Sequence, residues 1–264
     1  MLTKLIGTVL IIIGIAGLIL PVIPGIFLIM VGILMFSKNK AAVDWARVKK
    51  ELMVKERIDS DNDSDRGLAI SKSLDECLSR AKSLSKPDYT QTVKKVTLVG
   101  EDFIEIDGGM RFSSGKISNY LKGARAIVIF LVTIGEGIEN AASSGTKGKE
   151  PLEGYLLDRI GSFAVESLAQ AVEKKIRKDY LILRKSVSRR YSPGYCDWPI
   201  EEQHIIAKIL DFSKIGVSLN ESCMMRPKKS ISAIVAIADK GIFTESGSTC
   251  EICEKKDCSY RRVT

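Results

Sequence analysis

Residues Leu5 to Phe36 form a run of 32 residues with no charged side chain and a single hydroxyl, on Thr8. A run that long and that apolar needs lipid around it or a deep core. As one helix it would extend about 48 Å at ~1.5 Å per residue, against a hydrocarbon layer of about 30 Å. Its middle reads Pro21-Val-Ile-Pro24-Gly25, which breaks a helix. We therefore read two helices, roughly 4–20 and 25–37, forming a transmembrane or re-entrant hairpin over residues 1–40. Gly7, Gly14, Gly17 and Gly32 allow the two backbones to approach closely. Lys4 precedes the run, and Lys38, Lys40, Arg47, Lys49 and Lys50 follow it. Positive charge at both ends predicts a chain held at the cell membrane with its remainder facing the cytoplasm. A single spanning helix and a cleaved signal peptide are the alternatives. The run exceeds a signal-peptide core, and no small-x-small cleavage site follows it.

The hairpin resembles small bacterial and archaeal membrane hairpins with a Pro-Gly-rich turn, which implies anchoring only. The whole chain of 264 residues carries a net charge of +8, with 40 basic and 32 acidic side chains. Three of those bases lie in the first forty residues, so the rest has 37 against 32, or +5. That weak bias, with no recognisable nucleic-acid module, argues against a nucleic-acid partner. Residues 41–66 are charged and end in the run Asp59-Ser-Asp-Asn-Asp-Ser-Asp65. It alternates like a calcium loop but lacks the central Gly and terminal Glu, and reads as a solvated linker. Residues 67–245 form the main domain, and 246–264 a Cys-rich tail.

Within the main domain, Ile70, Leu74, Cys77, Leu78 and Ala81 recur at helical spacing up to Lys86-Pro87. Val93–Val99, Phe103–Ile106, Ala126–Ile134, Val217–Leu219 and Ile231–Ile237 read as strands, with Asp107-Gly-Gly109 as a turn. Gly135-Glu-Gly137 opens a short helix, and 143–150 reads as a Gly/Lys loop. Pro151 begins a long helix to about Asp179, with Leu152, Leu156, Ile160, Phe163, Ala164, Leu168, Val172 and Ile176 as its buried stripe. A further helix fits Ile200–Phe212. Strands and helices in irregular order predict an α+β domain with a mixed sheet and a long helix, preceded by the hairpin.

Three segments carry chemistry. In Arg190-Tyr-Ser-Pro-Gly194-Tyr195, a guanidinium can grip a carboxylate through two parallel hydrogen bonds. Gly194 lets the backbone come close to a ligand, and Tyr195 offers a flat face with a polar tip. An ordinary turn is the alternative. Glu221-Ser-Cys-Met-Met225-Arg-Pro227 with Ser230-Ile-Ser232 is silent by itself. Cys250-x2-Cys253-x4-Cys258 places three of six cysteines within nine residues, with Cys196 as a remote fourth ligand. Such thiolates hold zinc or an iron–sulfur cluster; unligated thiols are the alternative, and a cytoplasmic location disfavours disulfides. His204 is the only histidine, which argues against a His-rich metal site and a His-based triad. No phosphate-binding loop and no Gly-x-Gly-x-x-Gly occurs.

Taken together these segments resemble the activation domain of vitamin B12-dependent methionine synthase. The resemblance covers roughly 124–237 and rests on Ala124 to Glu139, the helix end Ile176-Arg-Lys-Asp-Tyr180, Arg190-x3-Gly194-Tyr195, and the 221–232 segment. It implies an S-adenosylmethionine site in which Arg190 holds the methionine carboxylate. Gly194 and Tyr195 would line the nucleoside pocket, and Glu166 would face the ligand. It also implies methyl transfer to the cobalt of a corrinoid. There are departures. Cys196-Asp-Trp-Pro199 replaces the family's Pro-Ala-Cys-Pro. The family's Asp-Trp segment and later ligand tyrosine are not identifiable, nor is a cobalamin-binding Asp-x-His-x-x-Gly. The corrinoid is therefore expected on a partner, a corrinoid protein or corrinoid-dependent methyltransferase. An electron donor is a further expected partner, with the Cys tail as a candidate route for the electron. The competing reading is a non-catalytic, membrane-anchored scaffold with a structural zinc tail.

Overall fold

The computed structural model describes residues 41–243 apart from 57, 59–64 and 149. The expected hairpin and the three tail cysteines fall outside them. Among the described residues no helix is long and apolar enough to cross a membrane.

The elements run α1 (Trp45–Lys55), α2 (Asp65–Leu84), β1 (Asp88–Val99), β2 (Phe103–Ile106), β3 (Met110–Ser113), α3 (Gly115–Tyr120), β4 (Ala126–Thr133), α4 (Gly137–Lys147), α5 (Pro151–Ile182), β5 (Lys185–Val187), α6 (Gln203–Ile209), β6 (Ser218–Leu219), β7 (Met225–Arg226) and β8 (Ser230–Asp239). Six strands form one sheet in the order β3-β2-β1-β4-β8-β5, and β6 pairs with β7. The expected mixed sheet is corrected here, because every pairing is antiparallel. Hairpins join β1 to β2 and β2 to β3. β4 and β5 are each antiparallel to β8, which lies between them, so the connection through α4 and α5 joins two strands of the same direction that do not pair with each other.

β4 is buried along its whole length. Alternation sends Ala126, Val128, Phe130 and Val132 into one core with α1, α2, α4 and α5; α1 falls within the expected 41–66 linker, but its Val48 and Leu52 are buried in this core. Ile127, Ile129 and Leu131 enter a second core with Phe112, Ile117, Trp198, Ile206 and Phe212. The sheet is thus a central layer covered on both faces.

Helix α5 runs from a proline in its first turn through Ile182, three residues past its expected end. Its stripe is buried from Leu156 onward save for the partly buried Phe163, but Leu152 is 51% exposed. The first turn packs on α4 through Gly154, where a Cβ would collide with the amide of Thr146. Leu152, two residues and about 200° away, points off that face. The same close contact explains why the expected 143–150 loop is helical to Lys147. Gly145 lies against Gly154, so the small residues are there to let two helices touch. The expected helix over Ile200–Phe212 is broken. A 3-10 turn at Ile200–Glu202 leads into α6, which ends where Leu210 turns extended. Asp211 then caps a second 3-10 turn, Phe212–Ile215.

Candidate functional site: the edge of β8 facing α5

The site grows from the way the chain after β5 follows the edge of β8. Val187 pairs with Ile237, and Tyr191 forms a bridge with Ile234. Four steps on one strand therefore match three on the other, which is a β-bulge spanning 188–190. Val187 packs in the α5-side core and Tyr191 in the opposite one, although residues four apart in an unbroken strand would share a face. The extra residue turns Arg190 toward α5.

Ser188 completes the bulge. Its N–H donates to the Ala236 carbonyl at 2.9 Å. Its hydroxyl accepts from the Ala236 N–H at 2.8 Å and donates to the Arg189 carbonyl at 2.8 Å. A side chain thus takes the place of a main-chain acceptor in the ladder. The Ser188 carbonyl is left to face α5, where Arg177 Nη2 donates to it at 3.0 Å.

On α5, Glu166, Gln170, Glu173 and Arg177 recur at spacings of four, three and four, which places them along one face. Arg190 Nη2 donates to Glu166 Oε1 at 2.5 Å. The two side chains are only 8% and 18% exposed. Burial works against the Arg190 charge, but the Glu166 carboxylate outweighs it and Glu173 and Tyr195 add to it, so the Arg190 pKa sits above its ordinary value. The face continues toward the start of α5 with Asp158 and Ser162, which accept from Lys229 Nζ at 2.7 and 2.8 Å. Among the described residues, β5 and the Tyr191 bridge leave the outer edge of β8 without a strand partner over 230–233.

Beyond Arg190 the chain makes a compact turn. Gly194 donates to the Trp198 carbonyl at 2.8 Å, and Trp198 donates back to the Tyr195 carbonyl at 3.0 Å. Gly194 has φ +89°, where a side chain would be strained. Tyr195 is 36% exposed. Two carboxylates fasten the turn to the β3–α3 corner. Asp197 accepts from Ser114 Oγ at 2.5 Å and from the Lys116 N–H at 3.0 Å. Glu202 accepts from the Ser113 N–H at 2.8 Å and from Trp198 Nε1 at 2.6 Å. Trp198 is buried edge-on against Phe112, with ring centroids 5.4 Å apart. Cys196-Asp-Trp-Pro199 therefore supplies this chain's own anchor for the turn.

Of the residues singled out from sequence, the structure brings Glu166 and Arg190 into contact and sets Gly194 and Tyr195 in the adjoining turn. Cys196 is half-buried with φ +54°. Its proposed companions Cys250, Cys253 and Cys258 lie outside the described residues. Among the described residues no group of three His, Cys, Asp or Glu could hold a metal. His204 lines an open depression with Ala207, Lys208, Phe212 and Leu219, on the side of the sheet away from Arg190. Arg177, Ser188, Asp197 and Glu202 were not singled out. Arg177 had a legible signal in its helical spacing from Glu166; the others depend on contacts distant in sequence.

Residues 101–245 match the family described as vitamin B12 dependent methionine synthase, activation domain. No curated protein matches the chain. Among solved structures, a crystal structure of the MetH reactivation domain bound to AdoHcy aligns with TM-score 0.56 and 18% identity. The alignment covers 79% of this chain and 77% of that one. At that identity the likeness establishes the α+β fold with its long helix. The family match spans more than half of the 264 residues, and the chain belongs to the vitamin B12-dependent methionine synthase activation domain family.

Proposed function

We propose that this chain is a membrane-anchored, cytoplasm-facing domain that binds S-adenosylmethionine and supports reductive methylation of a corrinoid carried by a partner protein. The buried Glu166–Arg190 pair beside the Gly194-Tyr195 turn carries the reading. A guanidinium and a carboxylate side by side match the carboxylate and ammonium of an amino-acid end. The Tyr195 ring offers a stacking face for a nucleoside. Arg190 holds the ligand carboxylate, Glu166 faces the ammonium, and the turn lines the nucleoside. When bound, S-adenosylmethionine supplies an electrophilic methyl group for the reduced cobalt. Orientation of the donor is what these residues contribute, and no general base is required. The AdoHcy bound to the structural relative supports the same ligand class.

Anchoring rests on the uncharged run from Leu5 to Phe36. A zinc or iron–sulfur site at Cys250, Cys253, Cys258 and Cys196, with a role in electron supply, rests on the cysteine spacing. Metal analysis and an electron spin resonance spectrum of anaerobically purified chain test that part. The ligand is tested by calorimetric titration of S-adenosylmethionine and AdoHcy into the full chain. Micromolar binding that Arg190→Ala abolishes is the expected result. No binding by folded protein would leave the scaffold reading in its place.

A further inference from the structure

We propose that Arg177 is a positioning residue for the Arg190 clamp, an inference that rests on the ligand reading above. Arg177 reaches across from α5 and donates Nη1 to the Val187 carbonyl at 2.7 Å and Nη2 to the Ser188 carbonyl at 3.0 Å. These are the last carbonyl of β5 and the first of the bulge. In a regular antiparallel edge the ladder itself would hold such a strand. Here Ser188 lends its hydroxyl to Ala236, and the register is lost until Tyr191 rejoins Ile234. The backbone between those points needs an outside support, and Arg177 supplies it with two charge-assisted hydrogen bonds.

The same guanidinium also sets the charge beside Arg190. Arg177 Nη2 lies 3.3 Å from Glu173 Oε1, and Glu173 is also an electrostatic neighbour of Arg190. Along this face of α5 the order is Glu166, Arg190, Glu173, Arg177, with signs alternating. Without Arg177, Glu173 becomes an uncompensated competitor for Arg190, drawing it away from Glu166 and from a ligand carboxylate. Arg177 thus fixes both where the clamp's backbone runs and which carboxylate its guanidinium meets. It touches neither ligand nor cobalt. Its planar fork serves two carbonyls at once, which an ammonium group does poorly.

The test uses the full chain with Arg177→Met and Arg177→Lys, titrated with AdoHcy and with 5′-methylthioadenosine, which keeps the nucleoside but has no amino-acid carboxylate. Arg177→Met should weaken AdoHcy about tenfold and leave methylthioadenosine unchanged. Arg177→Lys should recover part of the loss. Amide hydrogen exchange without ligand should quicken in Arg177→Met at Tyr191 and Ile234 and stay unchanged in β1 and β2. Equal weakening of both ligands would mark a general structural defect and overturn the positioning role. So would unchanged AdoHcy affinity, or unchanged exchange at Tyr191. If wild-type protein binds neither ligand, the ligand reading falls, and quickened exchange at Tyr191 would then leave Arg177 as a support of the bulge alone.

Discussion

Replacing Arg190 by alanine separates a buried ion pair from a surface one. Glu166 and Arg190 are 18% and 8% exposed and 2.5 Å apart. Arg190→Ala leaves the Glu166 carboxylate in that setting without its cation. Stranding one member of a buried pair costs about 3–5 kcal/mol, compared with ~0–1 kcal/mol for an exposed pair. The exposed comparator is Arg47–Glu51, at 40% and 35% exposure. For a domain of this size the loss corresponds to roughly 6–20 °C in Tm. Glu166→Gln alone should cost less, because the amide oxygen still accepts from Arg190. The pair Arg190→Ala with Glu166→Gln should be more stable than Arg190→Ala, since no charge is then buried. Thermal unfolding of the full chain at pH 7 reads these differences. A loss below about 1 kcal/mol, or a double variant less stable than Arg190→Ala, would refute the buried-pair account.

Ser188→Ala removes the acceptor for the buried Ala236 N–H; a loss of about 1–3 kcal/mol should appear in denaturant unfolding, with faster exchange of the Ala236 amide. Gly154→Ala places a methyl against the backbone of α4, and calorimetry should show a cost of about 1–3 kcal/mol from overpacking. Asp197 is partly desolvated, which raises its pKa, but hydrogen bonds from Ser114 and Lys116 outweigh this and hold it below the usual aspartate range. Its contribution is therefore present above the unfolded value of ~3.9 and lost as pH falls through the lower folded value. Asp197→Asn should flatten the stability profile in that acid window, and an unchanged profile would exclude the staple.

Long, repetitive features were legible in the sequence. The periodic stripe of α5 and the unbroken apolar run of β4 leave few alternatives, and both lie where expected. The resemblance led to Arg190 and Glu166, 24 residues apart, and the fold brings them together. Short elements escaped notice because β3, α3 and β5 are three to six residues each and carry too little pattern. The bulge at 188–190 was invisible because it exists only as a mismatch between two strands. Asp197 looks like a loop charge, and Glu202 like a surface charge on the expected 200–212 helix, until the β3–α3 corner arrives beside them. Leu152 obeyed the stripe and still faces outward, because α4 meets that turn of α5 through glycine.

The one-residue slip beside β8 also sets neighbouring residues on opposite faces of the sheet. Arg190 touches the layer containing α5, and the next residue, Tyr191, stacks on Tyr120 in the other layer, with ring centroids 6.0 Å apart and planes 6° from parallel. Two consecutive residues thus reach opposite layers from one edge of the sheet, beside the Tyr191–Ile234 bridge. A change in the near-ultraviolet circular dichroism of the tyrosine pair on adding AdoHcy is the expected outcome if Arg190 and Tyr191 shift together, and an unchanged spectrum with ligand bound would show that they do not.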